Sequence, residues 1–471
     1  MLNYLLLVLT GLFFKLQDAP IKNQGKPNIL VILIDDAGYA DFGFMGSKDL
    51  KTPNIDKLAS KSMIFTDAHV SSSVCSPSRA GLLTGRYQQR FGYECNEGEG
   101  YTGMDTSQVS IAQMLKNSGY TTAALGKWHL GFDKNQQPKA KGFDYFYGFL
   151  GGSRSYFYNP NKDDKSGSKI AIQENTNPIK FDGYLTDVLG NKAADFIKEN
   201  KDHPFFMYWS PNAVHTPMEA SEADLAKFKG HPRQKLAAMT FALDRAVGKI
   251  IDALKKQGKL ENTLIFFLSD NGGAHNNQST NLPLKGFKGN EFEAGHRIPF
   301  LMSWPAKQKN GFRFNGLSSS LDLFATCLDA AKIKTKPTNK IDGVSLLPFL
   351  TGTAKGNPHE ELFWRKDANA AVRKQNYKLI RVRNVGYRLY NLQTDLGETL
   401  DLQKTDTLLF KTLKNDLSKW ESDKMKPIWT EGKIWDTITE MIHIDLMNNQ
   451  EIKVKSPEDL KKNNSKNEGK K

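Results

Sequence analysis

The sequence predicts an α/β fold: a large, mostly parallel, doubly wound sheet flanked by helices, with a smaller C-terminal α+β domain. Three observations predict it. Residues 28–36 and 263–270 are continuous apolar runs without alternation that end in acidic residues, the pattern of strands buried on both faces. Segments with helical spacing separate these runs, and alternating helix and buried strand builds a parallel sheet wound on both sides. Beyond about residue 350, short alternating strands and close turns replace that pattern, as in a small antiparallel sheet.

In chain order, residues 1–19 read as a signal peptide. Their apolar block, residues 5–14, ends at Lys15 and is too short to span a bilayer comfortably. No cysteine follows it, so no lipid anchor is expected, and a periplasmic or secreted location is. Residues 25–350 form the main domain. After the strand at 28–36 come a helix at 53–63, a helix at 110–118 capped by Gly119, and a strand at 121–126. A strand at 203–209, a long helix at 234–257, the strand at 263–270 and a last strand at 298–304 complete it. Residues 351–450 form the second domain, with strands at 370–373, 377–383 and 387–392 and a helix at 407–424. The Lys- and Asn-rich stretch 451–471 is expected to be disordered.

With 39% hydrophobic and 25% charged residues, the chain of 471 residues has the composition of a globular protein large enough for one core and a smaller second domain. A formal net charge of +14 favours anionic ligands. Zinc-finger, helix-turn-helix and single-strand-binding patterns are missing, so nucleic acid is not an expected partner. The three cysteines, Cys75, Cys95 and Cys327, do not make a disulfide scaffold. Whether Cys95 and Cys327 pair is open from the sequence.

Cys75-Ser76-Pro77-Ser78-Arg79 is the most informative run. A cysteine beside a proline compatible with a first helical turn is held at a helix N-terminus, where backbone N–H groups and the dipole favour an oxyanion. Arg79 lies one turn on and can clamp a tetrahedral anion. Asp35-Asp36 closes the first strand and Asp270-Asn271-Gly272-Gly273 another, and site residues gather at the carboxyl ends of such strands. Three carboxylates and one amide oxygen form a hard oxygen set that suits calcium or magnesium better than zinc. Taken alone, either pair reads equally as a solvated strand end. Lys127-Trp128-His129 ends a third strand, His215 follows a fourth, and Lys288 sits in a Gly-flanked loop.

These motifs together resemble the type I sulfatases of the alkaline-phosphatase superfamily. The resemblance rests on six of them in order. They are the Asp-Asp strand end, Cys-x-Pro-x-Arg with Gly-Leu-Leu-Thr-Gly-Arg, Gly-Lys-Trp-His-Leu-Gly, His-Thr-Pro, Ser-Asp-Asn-Gly-Gly and Lys-Gly-x-x-x-Glu-x-Gly-x-Arg-x-Pro. It runs from about Pro27 to near Lys424 and implies an alkaline-phosphatase-like fold. It also implies that a maturation enzyme oxidises Cys75 to formylglycine (3-oxoalanine). Calcium, with magnesium the second choice, would be held by Asp35, Asp36, Asp270, Asn271 and the modified Cys75.

By the same resemblance, a hydroxyl of the hydrated aldehyde, acidified by the metal and Arg79, attacks sulfur. Lys127, His215 and Lys288 hold the sulfate, and His215 or Lys288 protonates the departing oxygen. His129 then takes the second hydroxyl's proton, so that sulfate is expelled. The expected substrate is a sulfated carbohydrate. A phosphomonoester or phosphonate-ester hydrolase and a non-catalytic polyanion binder are the rival readings. For selectivity, the loop 151–158 offers Arg154 to a second anionic group and aromatic faces to a sugar. Packing of Tyr156 and Phe157, with Arg154 paired to a local acid, is the alternative.

Overall fold

The computed structural model describes residues 25–200, 202–308 and 310–468. The expected signal segment lies outside them. In chain order the first strands are β1 (Asn28–Ile34), β2 (Met63–Phe65), β3 (Ala68–His69), β4 (Thr121–Lys127), β5 (Tyr145–Phe149), β6 (Gln173–Glu174), β7 (Asn177–Pro178) and β8 (Phe205–Ser210). Then follow β9 (Thr263–Ser269), β10 (Phe300–Ser303), β11 (Phe312–Phe314), β12 (Ser318–Ser319), β13 (Glu361–Lys366), β14 (Asn369–Lys374), β15 (Tyr377–Val382) and β16 (Gly386–Asn391). The helices are α1 (Pro53–Ala59), α2 (Cys75–Thr84), α3 (Ile111–Lys116), α4 (Leu185–Glu199), α5 (Glu222–Lys227) and α6 (Gln234–Lys256). They continue with α7 (Glu293–His296), α8 (Asp322–Ala330), α9 (Leu347–Leu350), α10 (Thr407–Glu421), α11 (Lys433–Met447) and α12 (Pro457–Glu468).

The main sheet runs β11-β2-β10-β9-β1-β8-β4-β5-β6-β7. Its centre, β9-β1-β8-β4-β5, is parallel, and β10 pairs antiparallel with β9. The apolar run of β1 explains its central place. Ile29, Val31 and Leu33 enter the core on one face, while Leu30, Ile32 and Ile34 enter the core on the other. Helices α4 and α6 cover the second face through Leu185, Leu189, Leu243 and Ile250. The parallel centre leaves the carboxyl ends of β1, β4, β8 and β9 side by side, and this places the site.

The antiparallel sheet β13–β16 carries α10 on one side and α11 on the other. Helix α11 was not apparent from the sequence, and neither were α4, α8, β5 and β13. The expectation of a disordered 451–471 needs correction over its described part, 451–468, because Val454 is buried and α12 forms. Ser456 Oγ accepts from Asp459 N at 3.1 Å and Asp459 Oδ2 from Lys455 N at 3.1 Å, a reciprocal cap with Pro457 in the first turn. Among the described residues, no helix is long and apolar enough to cross a membrane.

A buried ionic cluster clamps the second sheet onto the first. Lys378 on β15 lies 3.0 Å from Glu293 on α7 and 3.1 Å from Glu398, and Arg373 on β14 reaches Asp67 at 2.8 Å and Glu293 at 3.2 Å. Burial, with the nearby Glu293 charge adding to it, pushes Glu398 up to about 7 despite Lys378. Removing one partner leaves the others buried and uncompensated. Lys378→Met is expected to cost roughly 3–5 kcal/mol of stability, read as a lower Tm in calorimetry. A Tm equal to wild type would contradict this role.

Candidate active site

Cys75 starts α2 and lies fully buried at its N-terminus. Pro77 occupies the first turn, and Ser76 N donates to Asn96 Oδ1 at 3.0 Å, so an outside side chain caps one of the free N–H groups. Sγ of Cys75 is 3.6 Å from Asp35 Oδ1 and 3.8 Å from Asp36 Oδ1. Burial, with the charges of Asp270 and Asp36 adding to it, pushes the thiol up to about 12 although Lys127 and Lys288 pull it down. At neutral pH the group is a thiol. A cysteine that acts as a nucleophile has its pKa depressed instead.

Asp35 and Asp36 continue β1 into a turn. Asp35 is held between β8 and its loop, since Asp35 N donates to Ala213 O at 3.0 Å and Val214 N to Asp35 O at 2.9 Å. Asp36 has a φ of 62°, a left-handed conformation that swings its carboxylate to the same side as that of Asp35. Asn277 Nδ2 and Ser279 Oγ donate to its carbonyl at 3.0 and 3.1 Å. At the end of β9, Asp270 Oδ1 accepts from Asp36 N at 3.2 Å. Asn271 Nδ2 donates to Asp36 Oδ1 at 2.8 Å, while Asn271 Oδ1 is buried with no hydrogen-bond partner.

Three cations meet these carboxylates, each from a different element. Arg79 Nε and Nη2 reach Asp270 Oδ2 at 2.9 and 2.7 Å, and Nη1 donates to Ser210 Oγ at 2.5 Å and to Lys127 O at 3.2 Å. Lys127 Nζ is 2.7 Å from Asp35 Oδ2, and Lys288 Nζ is 2.8 Å from Asp36 Oδ2. Burial raises Asp35, yet Lys127, His215 and Arg79 outweigh it and hold the carboxyl below the ordinary range. For Asp270, burial and the neighbouring Asp35 charge prevail over Arg79 and push it up to about 6.

Two histidines complete the floor. His215 Nδ1 lies 2.6 Å from Thr216 O and so carries the proton, which leaves Nε2 facing Asp36 Oδ2 at 3.5 Å. His129 follows β4 with a φ of 61°. Burial, then Lys127 and Arg79, depress its pKa well below the usual value, and its buried Nδ1 has no hydrogen-bond partner. It is a neutral imidazole.

The structure thus brings Asp35, Asp36, Cys75, Arg79, Lys127, His129, His215, Asp270, Asn271 and Lys288 to one point. Arg154 does not join them, and the expectation that it binds substrate is corrected. Its buried guanidinium pairs with Asp164 at 2.9 and 2.8 Å and donates to Ile170 O and Ser155 O, leaving no face for a ligand. Tyr156 in that loop has a supporting role that the sequence did not suggest. Its hydroxyl donates to Asn212 O at 2.5 Å and His215 O at 2.8 Å. Ser210 was missed too. Its place at the end of β8, matching Ser269 at the end of β9, was the available signal. Cys95 and Cys327 are separate buried thiols.

The donor set fits a hard divalent ion. Oxygens of Asp35 and Asp36 cluster with Cys75 and His215 so that their ligating atoms lie within 4.8 Å of one another, and the unpartnered Asn271 Oδ1 adds a neutral oxygen beside them. Above them opens a cleft of about 310 Å³ whose floor includes Asp36, His215 and Lys288.

The family model described as Sulfatase matches residues 27–333, and that of the N-sulphoglucosamine sulphohydrolase C-terminal region matches 288–423. The chain belongs to the sulfatase family and is a sulfuric ester hydrolase. It is similar to an uncharacterized sulfatase, YdeN, of Escherichia coli (31% identical, covering 72% of this chain and 69% of the relative). It is also similar to the mouse N-acetylgalactosamine-6-sulfatase (33% identical, 79% and 75%). Among solved structures it resembles Ps i-CgsB, with a TM-score of 0.82, 36% identity and coverage of 90% of this chain and 100% of that one. The same protein in complex with k-i-k-neocarrahexaose gives a TM-score of 0.81 with the same identity and coverage. The alkaline-phosphatase-like fold expected from the motifs is the fold observed.

Gly152 lies against His129. A Cβ built there would meet Nε2 of the ring at 2.6 Å. Gly152→Ala is therefore expected to shift the imidazole and lower kcat by about 10-fold or more with KM little changed, since misplacement by an ångström can cost about 100-fold. Steady-state kinetics checks this, and an unaltered kcat would show that His129 needs no such placement.

Proposed function

We propose that this sulfatase is formylglycine-dependent and calcium-dependent and removes sulfate from a sulfated carbohydrate, with a carrageenan-type oligosaccharide as the first candidate substrate. One observation carries the reading. The residue at a helix N-terminus, Cys75, faces a four-residue oxygen set and three cations in a single buried site. As a thiol pushed up to about 12, Cys75 is a poor nucleophile as it stands, and the reading gives the attacking oxygen to its modified form instead. The carbohydrate comes from the relatives: one similar structure is a complex with neocarrahexaose, and similar enzymes are named for N-acetylgalactosamine 6-sulfate.

A hydrated aldehyde at position 75 supplies the nucleophilic hydroxyl and a divalent ion supplies positive charge. The chain's own residues do the rest. Asp35, Asp36, Asp270 and Asn271 would hold the ion, and Arg79 fixes Asp270 at the α2 N-terminus. Lys127 and Lys288 hold the sulfate oxygens and spread the charge that develops on them. Lys288, or His215 once it is the imidazolium with a second proton on Nε2, delivers a proton to the departing sugar oxygen. His129, kept neutral by burial and its cationic neighbours, accepts the proton whose loss from position 75 releases sulfate. The three carboxylates balance the three cations. A divalent ion then makes the site net positive, which suits an anionic ester.

Export through the N-terminal signal segment and oxidation of Cys75 by a maturation enzyme belong to the same proposal. Mass spectrometry of the peptide around Cys75, from protein made with a maturing enzyme, is expected to find the aldehyde. An active preparation carrying only thiol would overturn the formylglycine assignment. Chelation is expected to abolish turnover of 4-nitrocatechol sulfate and to lower Tm, because a tightly bound ion contributes about 2.7 kcal/mol at a free concentration 100 times its Kd. Calcium or magnesium, and not preferentially zinc, should restore both. Full activity in metal-free protein would contradict the ion's role.

A further inference from the structure

The cleft has a wall that neither family model covers. Those models end at residues 333 and 423, whereas α11 runs from Lys433 to Met447. The residues of α11 that line the cleft are Trp435, Ile438, Thr439, Ile442 and His443. Their spacing of three, four, seven and eight puts them on one helical face, turned toward the Asp36, His215 and Lys288 floor.

This face is held rigidly. Ile438, Ile442, Leu446 and Met447 pack into the core beneath the antiparallel sheet. His443 Nε2 lies 2.9 Å from Glu291 Oε2, and Glu291 Oε1 accepts from Ser73 Oγ at 3.3 Å, two residues before Cys75. At the free end of the same face stands Trp435. All seven tryptophans are described, and Trp435 alone is exposed, at 47%. An indole left open at the rim of a cleft above an anion site is an exception among tryptophans that otherwise pack inside. Lys455 and His275 also line the cleft.

We infer that α11 forms a carbohydrate subsite. Trp435 stacks on the saccharide unit next to the one that bears the scissile sulfate, and Lys455 and His275 take a second anionic substituent. The cleft, at about 310 Å³, is at the lower bound of small-molecule sites, and α11 lines it over two turns. The inference rests on the sulfatase reading and deepens it, by assigning to Trp435 and Lys455, beyond the matched models, together with His275, the choice of an oligosaccharide over a monosaccharide.

The test compares kcat/KM on an ι-carrageenan tetrasaccharide and on 4-nitrocatechol sulfate for the full-length matured enzyme. Trp435→Ala and Lys455→Ala should each lower the tetrasaccharide value by about 10-fold or more and leave the aryl sulfate value within about twofold, because only the longer substrate reaches α11. Trp435→Phe should recover part of the loss. Equal losses on both substrates, or none on either, would overturn the inference. So would a wild-type enzyme that hydrolyses the aryl sulfate and ignores the tetrasaccharide, a result that leaves the sulfatase mechanism standing. Independently of turnover, the tetrasaccharide should quench tryptophan fluorescence of the Cys75→Ser protein, and Trp435→Ala in that background should remove the quench. Unchanged quenching without Trp435, or none with it, would also overturn the subsite.

Discussion

Asp35, Asp36 and Asp270 stand together in the interior at the ends of two neighbouring strands, and the site follows from that constraint. Burying three carboxylates costs several kcal/mol each unless opposite charge lies in contact. The chain meets the cost with Arg79 from a helix, Lys127 from the end of β4 and Lys288 from a loop, at 2.7 to 2.9 Å. None of these cations is near the carboxylates in sequence. They meet because β9, β1, β8 and β4 are adjacent in the sheet, and parallel pairing presents their carboxyl ends on one edge.

The rest of the architecture keeps this charge cluster in place. Backbone hydrogen bonds lock Asp35 to the loop after β8, and two side chains from the 274–280 stretch hold the carbonyl of Asp36 in its left-handed turn. Tyr156 fixes the segment that presents His215. The second sheet closes the molecule through another buried ionic cluster, around Lys378 and Glu293, only five residues beyond Lys288. Packing that sheet positions both the Lys288 loop and α11, so sulfate chemistry and access to it share one support.

Much of this was legible in the sequence where chemistry and local pattern coincide. The unbroken apolar run of β1 announced a central strand. The Asp35-Asp36 and Asp270-Asn271 endings announced where a site would form. Cys75 with Pro77 announced a helix start. Long-range pairing was harder to read. Arg154 looked like a ligand-reading side chain in an aromatic loop, and only the fold shows Asp164 taking both ends of its guanidinium. Position 452 onward looked too polar to order, yet Val454 is buried and Ser456 and Asp459 cap a helix. Helix α11 went unnoticed although Ile438, Ile442 and Leu446 recur at every fourth position, a helical period; residues 433–447 carry no chemical motif that ties them to a site. Their meaning comes from lining a cleft whose floor lies over 140 residues earlier.

In the mechanism proposed above, these charges converge on sulfur, a protein-borne oxygen attacks there and the sulfur–oxygen bond breaks. Hydrolysis of a sulfate ester in water enriched in heavy oxygen, with both products analysed by mass spectrometry, tests it directly. The heavy isotope should appear in the released sulfate and not in the alcohol, because the oxygen at position 75 is replenished from water and leaves with sulfur. Heavy oxygen in the alcohol would mean attack at carbon, and the role assigned to the site around Cys75 would be wrong.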